Sequence, residues 1–157
     1  MATHFQVTVD CGQPAPLVRF WCEALGYVPE PAPAGFDSWH DYLLSIGEPA
    51  DQLAAELAQL PAGGDLCDSI VDPAGRGPRI WFQLVPEAKQ LKNRLHLDLK
   101  VGGGRQAPIE ERRRRIQAEA DRLVTAGARQ LTELGPDGSD HVAIVMQDPE
   151  GNEFCLH

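Results

Sequence analysis

Two stretches of this chain open with a histidine and then alternate in the same way, HFQVTV at residues 4–9 and HLDLKV at residues 96–101. Every second residue is apolar in both, which is the period-two pattern of a strand that is buried on one face. A helical pattern that ends at a glycine follows each stretch. Later in each half, the motif Asp-Pro-x-Gly precedes a final strand. The second half of the chain therefore repeats the first in the order of its elements.

The later parts of the repeat have the same order. DPAG at residues 72–75 precedes the apolar strand WFQL at 81–84, and DPEG at 148–151 precedes EFCL at 153–156. Both halves read as strand, helix, strand, strand, strand. Two copies are too few for a solenoid. We therefore expect one α+β domain over residues 1–157, made of two paired βαβββ modules at about 4–86 and 94–157.

The first module is longer than the second, and a helical hairpin at about 38–60 accounts for most of the difference. Ser38 followed by Asp41 resembles a capping box. Trp39, Tyr42, Leu43 and Ile46 follow at helical spacing, and a leucine-rich helix begins near Pro49. The pattern predicts that this hairpin is inserted in the first module.

The charge balance limits the class of partner. The 157 residues carry 14 Lys and Arg against 23 Asp and Glu, a formal net charge of -9. This excess of negative charge disfavours nucleic acid as a partner. The sequence shows neither a signal-like N-terminus nor an apolar stretch long enough to cross a bilayer, so we expect a cytoplasmic protein without a membrane partner.

Three short features have plain structural interpretations. The four cysteines lack CxxC spacing, and we expect Cys22 and Cys67 to be small buried side chains. The glycines at 102–104 lack the pattern of a phosphate loop and indicate a flexible turn. The arginines at 112–115 are surrounded by acidic residues at helical spacing, so we expect a solvated, salt-bridged face.

The combined motifs resemble those of the vicinal oxygen chelate superfamily. FQVTVD at 5–10, NRLHLDL at 93–99 and DPEGNEFC at 148–155 are most similar to glyoxalase-like domain proteins, which are common in actinobacteria. The resemblance covers essentially the whole chain. It implies that the curved sheets of the two modules together form a barrel-like cavity.

The resemblance also implies a metal site. Metal-using members of the superfamily place a ligand on the first and last strand of each module, which here gives His4, Gln83, His96 and Cys155. Zinc is the first expectation, then nickel, iron or manganese. The chain departs from the metal-enzyme pattern because Gln83 and Cys155 stand where carboxylates are usual, so a site without metal is the alternative.

Strand parity adds further residues to the same faces. Asp98 and Glu153 are the nearest carboxylates and are candidate general bases, with a raised pKa if the cavity excludes water. Alternatively, they pair with Arg94 or Lys100. Candidate residues lining a ligand pocket are Gln6, Thr8, Trp81 and His141, although Trp81 could equally be a packing residue and His141 an exposed structural one.

These residues support two main hypotheses for function. The first is a metal-dependent lyase, isomerase or dioxygenase that acts on a small substrate with vicinal oxygens. The second is a metal-free protein of the bleomycin-resistance type, which sequesters an aromatic or cationic ligand. An interaction module without a small ligand is the least favoured, and the resemblance implies a homodimer. Whether the chain is an enzyme is left open by its sequence.

Overall fold

The computed structural model describes residues 3–135 and 140–157, and each half of the chain forms a sheet of its own. The chain divides into two compact units, Met1–Pro86 and Glu87–His157. These bounds lie close to those predicted for the two modules. That the units make one domain with a shared barrel-like cavity stays a prediction.

The first unit contains three helices and four strands, and its hairpin lies between the second and third strands. Its elements are β1 Val7–Cys11, α1 Pro14–Leu25, β2 Val28–Pro29, α2 Trp39–Ser45, α3 Ala50–Leu57, β3 Ser69–Val71 and β4 Ile80–Leu84. The strand order is β1-β4-β3-β2, with β1 and β4 parallel and the other pairs antiparallel. The predicted βαβββ module with an inserted helical hairpin is confirmed.

Helix α1 covers one face of this sheet. It begins at Pro14, where the missing N–H costs nothing, and its C-cap Gly26 takes the left-handed conformation at φ 68. Leu17, Phe20 and Trp21 on its inner face are buried. They pack on strands β3 and β4, whose inward side chains are also buried, and so form the core of the unit.

The second unit has the same order of elements without the hairpin. Its elements are β5 Asp98–Leu99, α4 Ile109–Thr125, β6 Arg129–Leu134, β7 Ala143–Gln147 and β8 Glu153–Leu156. The strand order is β5-β8-β7-β6, with β5 and β8 parallel. Helix α4 buries Ile116, Ala120 and Leu123 against this sheet. The predicted βαβββ order is confirmed here too.

The two Asp-Pro-x-Gly motifs form turns in which the aspartate holds the following backbone. The carboxylate of Asp72 accepts hydrogen bonds from the N–H groups of Ala74, Arg76 and Gly77 at 2.8–2.9 Å. Asp148 accepts in the same way from the N–H groups that follow it. These bonds satisfy the backbone of a tight turn and set where the last strand of each unit begins.

The registers of the parallel pairs correct one detail of the sequence repeat. Asp10 lies opposite Gln83 in the first unit, and Asp98 lies opposite Cys155 in the second. With Gln83 matched to Cys155, the counterpart of His96 is Thr8, so the prediction that His4 is its counterpart is wrong. A shift of four residues preserves strand parity, which is why alternation alone did not reveal it.

The arginine run of α4 is mostly the salt-bridged face that was predicted. Arg114 and Arg115 both donate to the carboxylate of Glu111. Arg112 differs from the prediction because its side chain is buried and bonds to Asp140. Its position on the inner side of the helix explains the difference.

Within residues 3–135 and 140–157, no helix combines the length and the apolar character that crossing a membrane requires.

Two phenylalanines at equivalent positions test the separate cores of the units. Phe82 and Phe154 are 0% and 1% exposed, whereas Phe5 is 72% exposed. We expect Phe82→Ala and Phe154→Ala each to lower the free energy of unfolding by about 3–5 kcal/mol, because each leaves a cavity. Urea denaturation measures the change, with Phe5→Ala as the exposed control. A loss below about 1 kcal/mol at either buried site would contradict its place in the core.

Candidate functional site

Three potential metal ligands converge on one face of the sheet of the second unit. Asp98 lies on β5 with His96 two residues before it, and Cys155 lies on β8 directly opposite Asp98. Residues two apart on a strand share a face, and pairing brings the third side chain beside them. The ligand atoms of the three residues all lie within 4.8 Å of one another. We call these residues the His96–Asp98–Cys155 cluster.

The cluster is held together by its own hydrogen bonds. His96 Nδ1 lies 2.9 Å from Asp98 Oδ1, and both side chains are partly exposed to solvent. Burial raises the pKa of the Cys155 thiol, and the charge of Asp98 and its hydrogen bond raise the pKa further, while Lys92 opposes them. The thiol therefore keeps its proton at neutral pH, with Asp98 as its acceptor.

Only two of the four predicted metal ligands belong to the cluster, and Asp98 joins them as the third member. His4 and Gln83 both belong to the first unit, and in the described part of the chain His4 is not among the residues of the cluster. His4 is exposed ahead of β1, and Gln83 lies on β4 opposite Asp10. Metal binding by His4 or Gln83 stays a prediction.

Glu153 has different surroundings from those a general base needs. It forms an ion pair with Lys89 at 3.1 Å and accepts a hydrogen bond from the Asn93 N–H at 3.1 Å. Burial alone would raise the pKa of Glu153, but these two partners outweigh it and the pKa is lowered. The lowered pKa differs from the raised pKa that a cavity without water would give, and the ion-pair partner is Lys89 rather than Arg94 or Lys100. A role for Glu153 as general base stays a prediction.

The first unit carries a polar network on the sheet face opposite α1, and the sequence reading missed it. Arg79 donates from Nε to Glu30 Oε2 at 2.8 Å, from Nη2 to Ser69 Oγ at 2.9 Å and from Nη1 to Gln6 Oε1 at 3.1 Å. Ser69 is fully buried and donates to Glu30 at 2.7 Å. Trp81 and Gln83 share this face because side chains on a strand alternate, so the same alternation places Arg79, two residues before Trp81, on it as well.

Predicted pocket residues Gln6, Thr8 and Trp81 also lie on this face. Gln6 Nε2 lies 3.4 Å from Thr8 Oγ1, and Thr8 is paired with Trp81 across β1 and β4. The indole N–H of Trp81 donates to Asp68 Oδ2 at 2.5 Å. This bond fixes the orientation of a half-buried aromatic ring among polar side chains. A role for these three residues in binding a ligand stays a prediction.

His141, the fourth predicted pocket residue, is exposed in the second unit. It lies two residues before β7, whose side chains Ile144 and Met146 are buried. The exposure fits the alternative interpretation of a surface histidine, and its role in a pocket stays a prediction.

Comparison with known proteins points to one family. The family model described as "Glyoxalase-like domain" matches residues 6–157. Among curated proteins, none matches the chain.

Solved structures agree in fold at low sequence identity. A glyoxalase/bleomycin resistance protein/dioxygenase family enzyme from Burkholderia phytofirmans PsJN is 14% identical with a TM-score of 0.52, and the match covers 96% of this chain and 94% of that one. A glyoxalase-related enzyme from Fulvimarina pelagi is 14% identical with a TM-score of 0.51, covering 99% and 87%. A superfamily member from Sphaerobacter thermophilus DSM 20745 is 16% identical with a TM-score of 0.50, covering 99% and 96%. Identities this low support the fold alone.

The Glu30–Arg79 pair makes a prediction about pH. Burial alone would raise the pKa of Glu30, but hydrogen bonds from Arg79 and Ser69 and the charge of Arg79 lower it. A carboxylate with a lowered folded-state pKa adds stability that is present above its unfolded pKa and is lost as pH falls through the folded one. We expect Glu30→Gln to be less stable than wild type at pH 7, and the gap to shrink as the pH falls below about 4.

Urea denaturation across this pH range measures the gap, and Glu87→Gln, at an exposed loop position, is the control. A gap between wild type and Glu30→Gln that stays constant with pH would show that the carboxylate does not stabilise the fold through its charge.

Proposed function

We propose a function from the premise that this chain belongs to the Glyoxalase-like domain family. It is a metal-dependent enzyme of the lyase, isomerase or dioxygenase type, and its substrate is a small molecule with vicinal oxygens. The observation that carries the proposal is the His96–Asp98–Cys155 cluster, which places a nitrogen, an oxygen and a sulfur ligand within 4.8 Å of one another. The homodimer and the small-molecule partner expected from the resemblance belong to the same proposal.

The donor set of the cluster fits zinc best. Imidazole nitrogen and thiolate sulfur are typical zinc ligands, and a carboxylate oxygen completes many zinc sites. Three protein ligands leave a coordination position for water or substrate, as in catalytic rather than structural sites. Nickel and iron share these preferences in part, whereas manganese prefers oxygen ligands and fits the thiolate of Cys155 least.

The hydrogen bonds of the cluster suggest a chemical role for each of its residues. The bond between His96 Nδ1 and Asp98 Oδ1 fixes the orientation of the ring and of the carboxylate before an ion binds. Asp98 also accepts from the Cys155 thiol, so it is placed to take the thiol proton when Cys155 becomes a ligand. A bound divalent ion would polarise a substrate oxygen. Once the thiol proton has passed to solvent, the second carboxylate oxygen of Asp98 could move a proton beside that substrate oxygen.

Metal content tests the proposal directly. We expect untagged protein purified without chelator to contain near-stoichiometric metal, zinc first, by elemental mass spectrometry. His96→Ala and Cys155→Ser should abolish uptake because each removes a ligand, and Asp98→Asn should weaken affinity by roughly 10- to 100-fold.

Matched controls are His4→Ala, Gln83→Ala and Cys67→Ser, which change the same kinds of donor in the first unit. Retained metal in all three controls supports a site in the second unit alone. Loss in His4→Ala or Gln83→Ala would instead support ligands from both units. If wild-type protein neither contains metal nor takes it up from added zinc, nickel, iron or manganese, the proposal fails.

A second candidate function is metal-free binding of the bleomycin-resistance type. The observation that favours it is that the first-unit positions equivalent to His96 and Cys155 are Thr8 and Gln83, which offer only a hydroxyl and an amide. A half-buried indole fixed by Asp68 and a net charge of -9 suit a planar cationic guest.

Binding in the presence of chelator tests this alternative. We expect a planar aromatic cation such as ethidium to bind with the same affinity with and without EDTA. Trp81→Ala should weaken the affinity by at least about tenfold because the stacking surface is lost. Fluorescence titration measures the affinity, and Trp39→Ala is the control from the hairpin. Equal binding by wild type and Trp81→Ala would exclude a site at this indole.

A further inference from the structure

The hairpin of the first unit carries an apolar stripe that the fold leaves at the surface. The stripe consists of Phe36, Trp39, Tyr42 and Ile46, and we call it the aromatic stripe. The ring of Tyr42 makes edge contacts with Phe36 and Trp39, at centroid distances of 5.4 and 5.7 Å. All seven residues of α2 remain partly or fully exposed, and Ile46 is 57% exposed. A helical apolar pattern of this kind is normally buried against a core.

The stripe is nevertheless held in place. The indole N–H of Trp39 donates to the Glu30 carbonyl at 2.7 Å, and the Trp39 N–H donates to Asp65 Oδ2 at 2.8 Å. Leu53 on α3 is buried and anchors the second helix. The exposed apolar surface is therefore preorganised, and a partner would pay little ordering entropy to use it.

The stretch of sequence that carries the stripe is rich in acidic residues. Residues 20–75 contain ten Asp and Glu residues and no Lys or Arg, although the whole chain has a net charge of only -9. Exposed carboxylates flank the stripe on the hairpin and the loops beside it, at Asp37, Asp41, Glu48, Asp51 and Glu56. An apolar patch with a rim of one charge sign is the arrangement of a protein interaction surface.

We propose that the aromatic stripe docks a short basic, amphipathic segment of a partner protein. Helix α2 spans about 10 Å, which matches two turns of a partner helix. Apolar side chains of that segment would contact Tyr42 and Ile46 at helical spacing, while its lysines or arginines lie against the acidic rim. This docking surface lies outside the His96–Asp98–Cys155 cluster and does not depend on the proposed enzyme activity.

Charge separates this occupant from the alternatives. Nucleic acid and anionic membrane surfaces would be repelled by the acidic rim. A second copy of the chain carries the same net charge of -9, so the acidic rim would repel it as a whole. A basic segment of another protein meets both the apolar and the charged requirement.

A designed peptide tests the proposal on the full chain. The probe is a fluorescent amphipathic helix of Leu and Lys, about 14 residues long, with a Leu and Glu peptide of the same pattern as its control. We expect the Leu and Lys peptide alone to bind in fluorescence anisotropy, and high salt to weaken the binding. Ile46→Ser and Asp37→Asn/Glu48→Gln should each weaken it at least about tenfold.

The matched control variants lie in the second unit. Leu131→Ser removes an exposed aliphatic side chain as Ile46→Ser does, and Glu87→Gln/Glu110→Gln removes two charges elsewhere, so both should bind the peptide like wild type. Circular dichroism and thermal melting confirm that each variant is folded. The proposal is overturned if wild type does not bind, or if Ile46→Ser binds equally well. Sedimentation showing self-association that Ile46→Ser abolishes would overturn it in favour of a second copy.

Discussion

Parallel pairing between the first and last strands of each unit is the constraint on which the rest of the structure depends. Strands β1 and β4 pair in the first unit, and β5 and β8 pair in the second. Parallel strands cannot be joined by a tight turn, so the chain must cross over before it returns. Here the crossover contains at least one helix and two further strands, which gives each unit its βαβββ order. It also brings residues far apart in sequence, such as Asp98 and Cys155, into direct opposition.

The two units have different side chains at equivalent positions of their paired strands. The positions equivalent to His96, Asp98 and Cys155 are Thr8, Asp10 and Gln83. One unit thus presents nitrogen, oxygen and sulfur donors on one sheet face, while the other presents a hydroxyl, a carboxylate and an amide. A fold supplies positions rather than a reaction, and here the repeat has diverged at the positions that decide whether a metal can be held.

The sequence predicted the order of the elements because alternation, helix spacing and turn motifs are local signals. It did not predict register, because a period of two is unchanged by a shift of four residues, and this made His4 the apparent partner of His96. Parity places Asp98 on the face of His96, but only the register of β5 and β8 shows that it lies opposite Cys155. The bonds of Arg79 to Glu30 and Ser69 join residues distant in sequence, and no local pattern encodes them.

In the hairpin, local sequence signals predict secondary structure but do not predict which apolar side chains are buried. The capping box and the helical spacing predict α2 correctly. Whether the aromatic stripe is buried depends instead on whether a sheet face is available to cover it. Helix α1 already occupies the face that would bury it. The ends of the insertion are tied together, since the Glu30 N–H donates to the Ser69 carbonyl at 2.9 Å. A closed insertion adds little entropy cost and leaves the sheet register unchanged. The hairpin could therefore acquire an aromatic, acidic surface without disturbing the strands that hold the polar face.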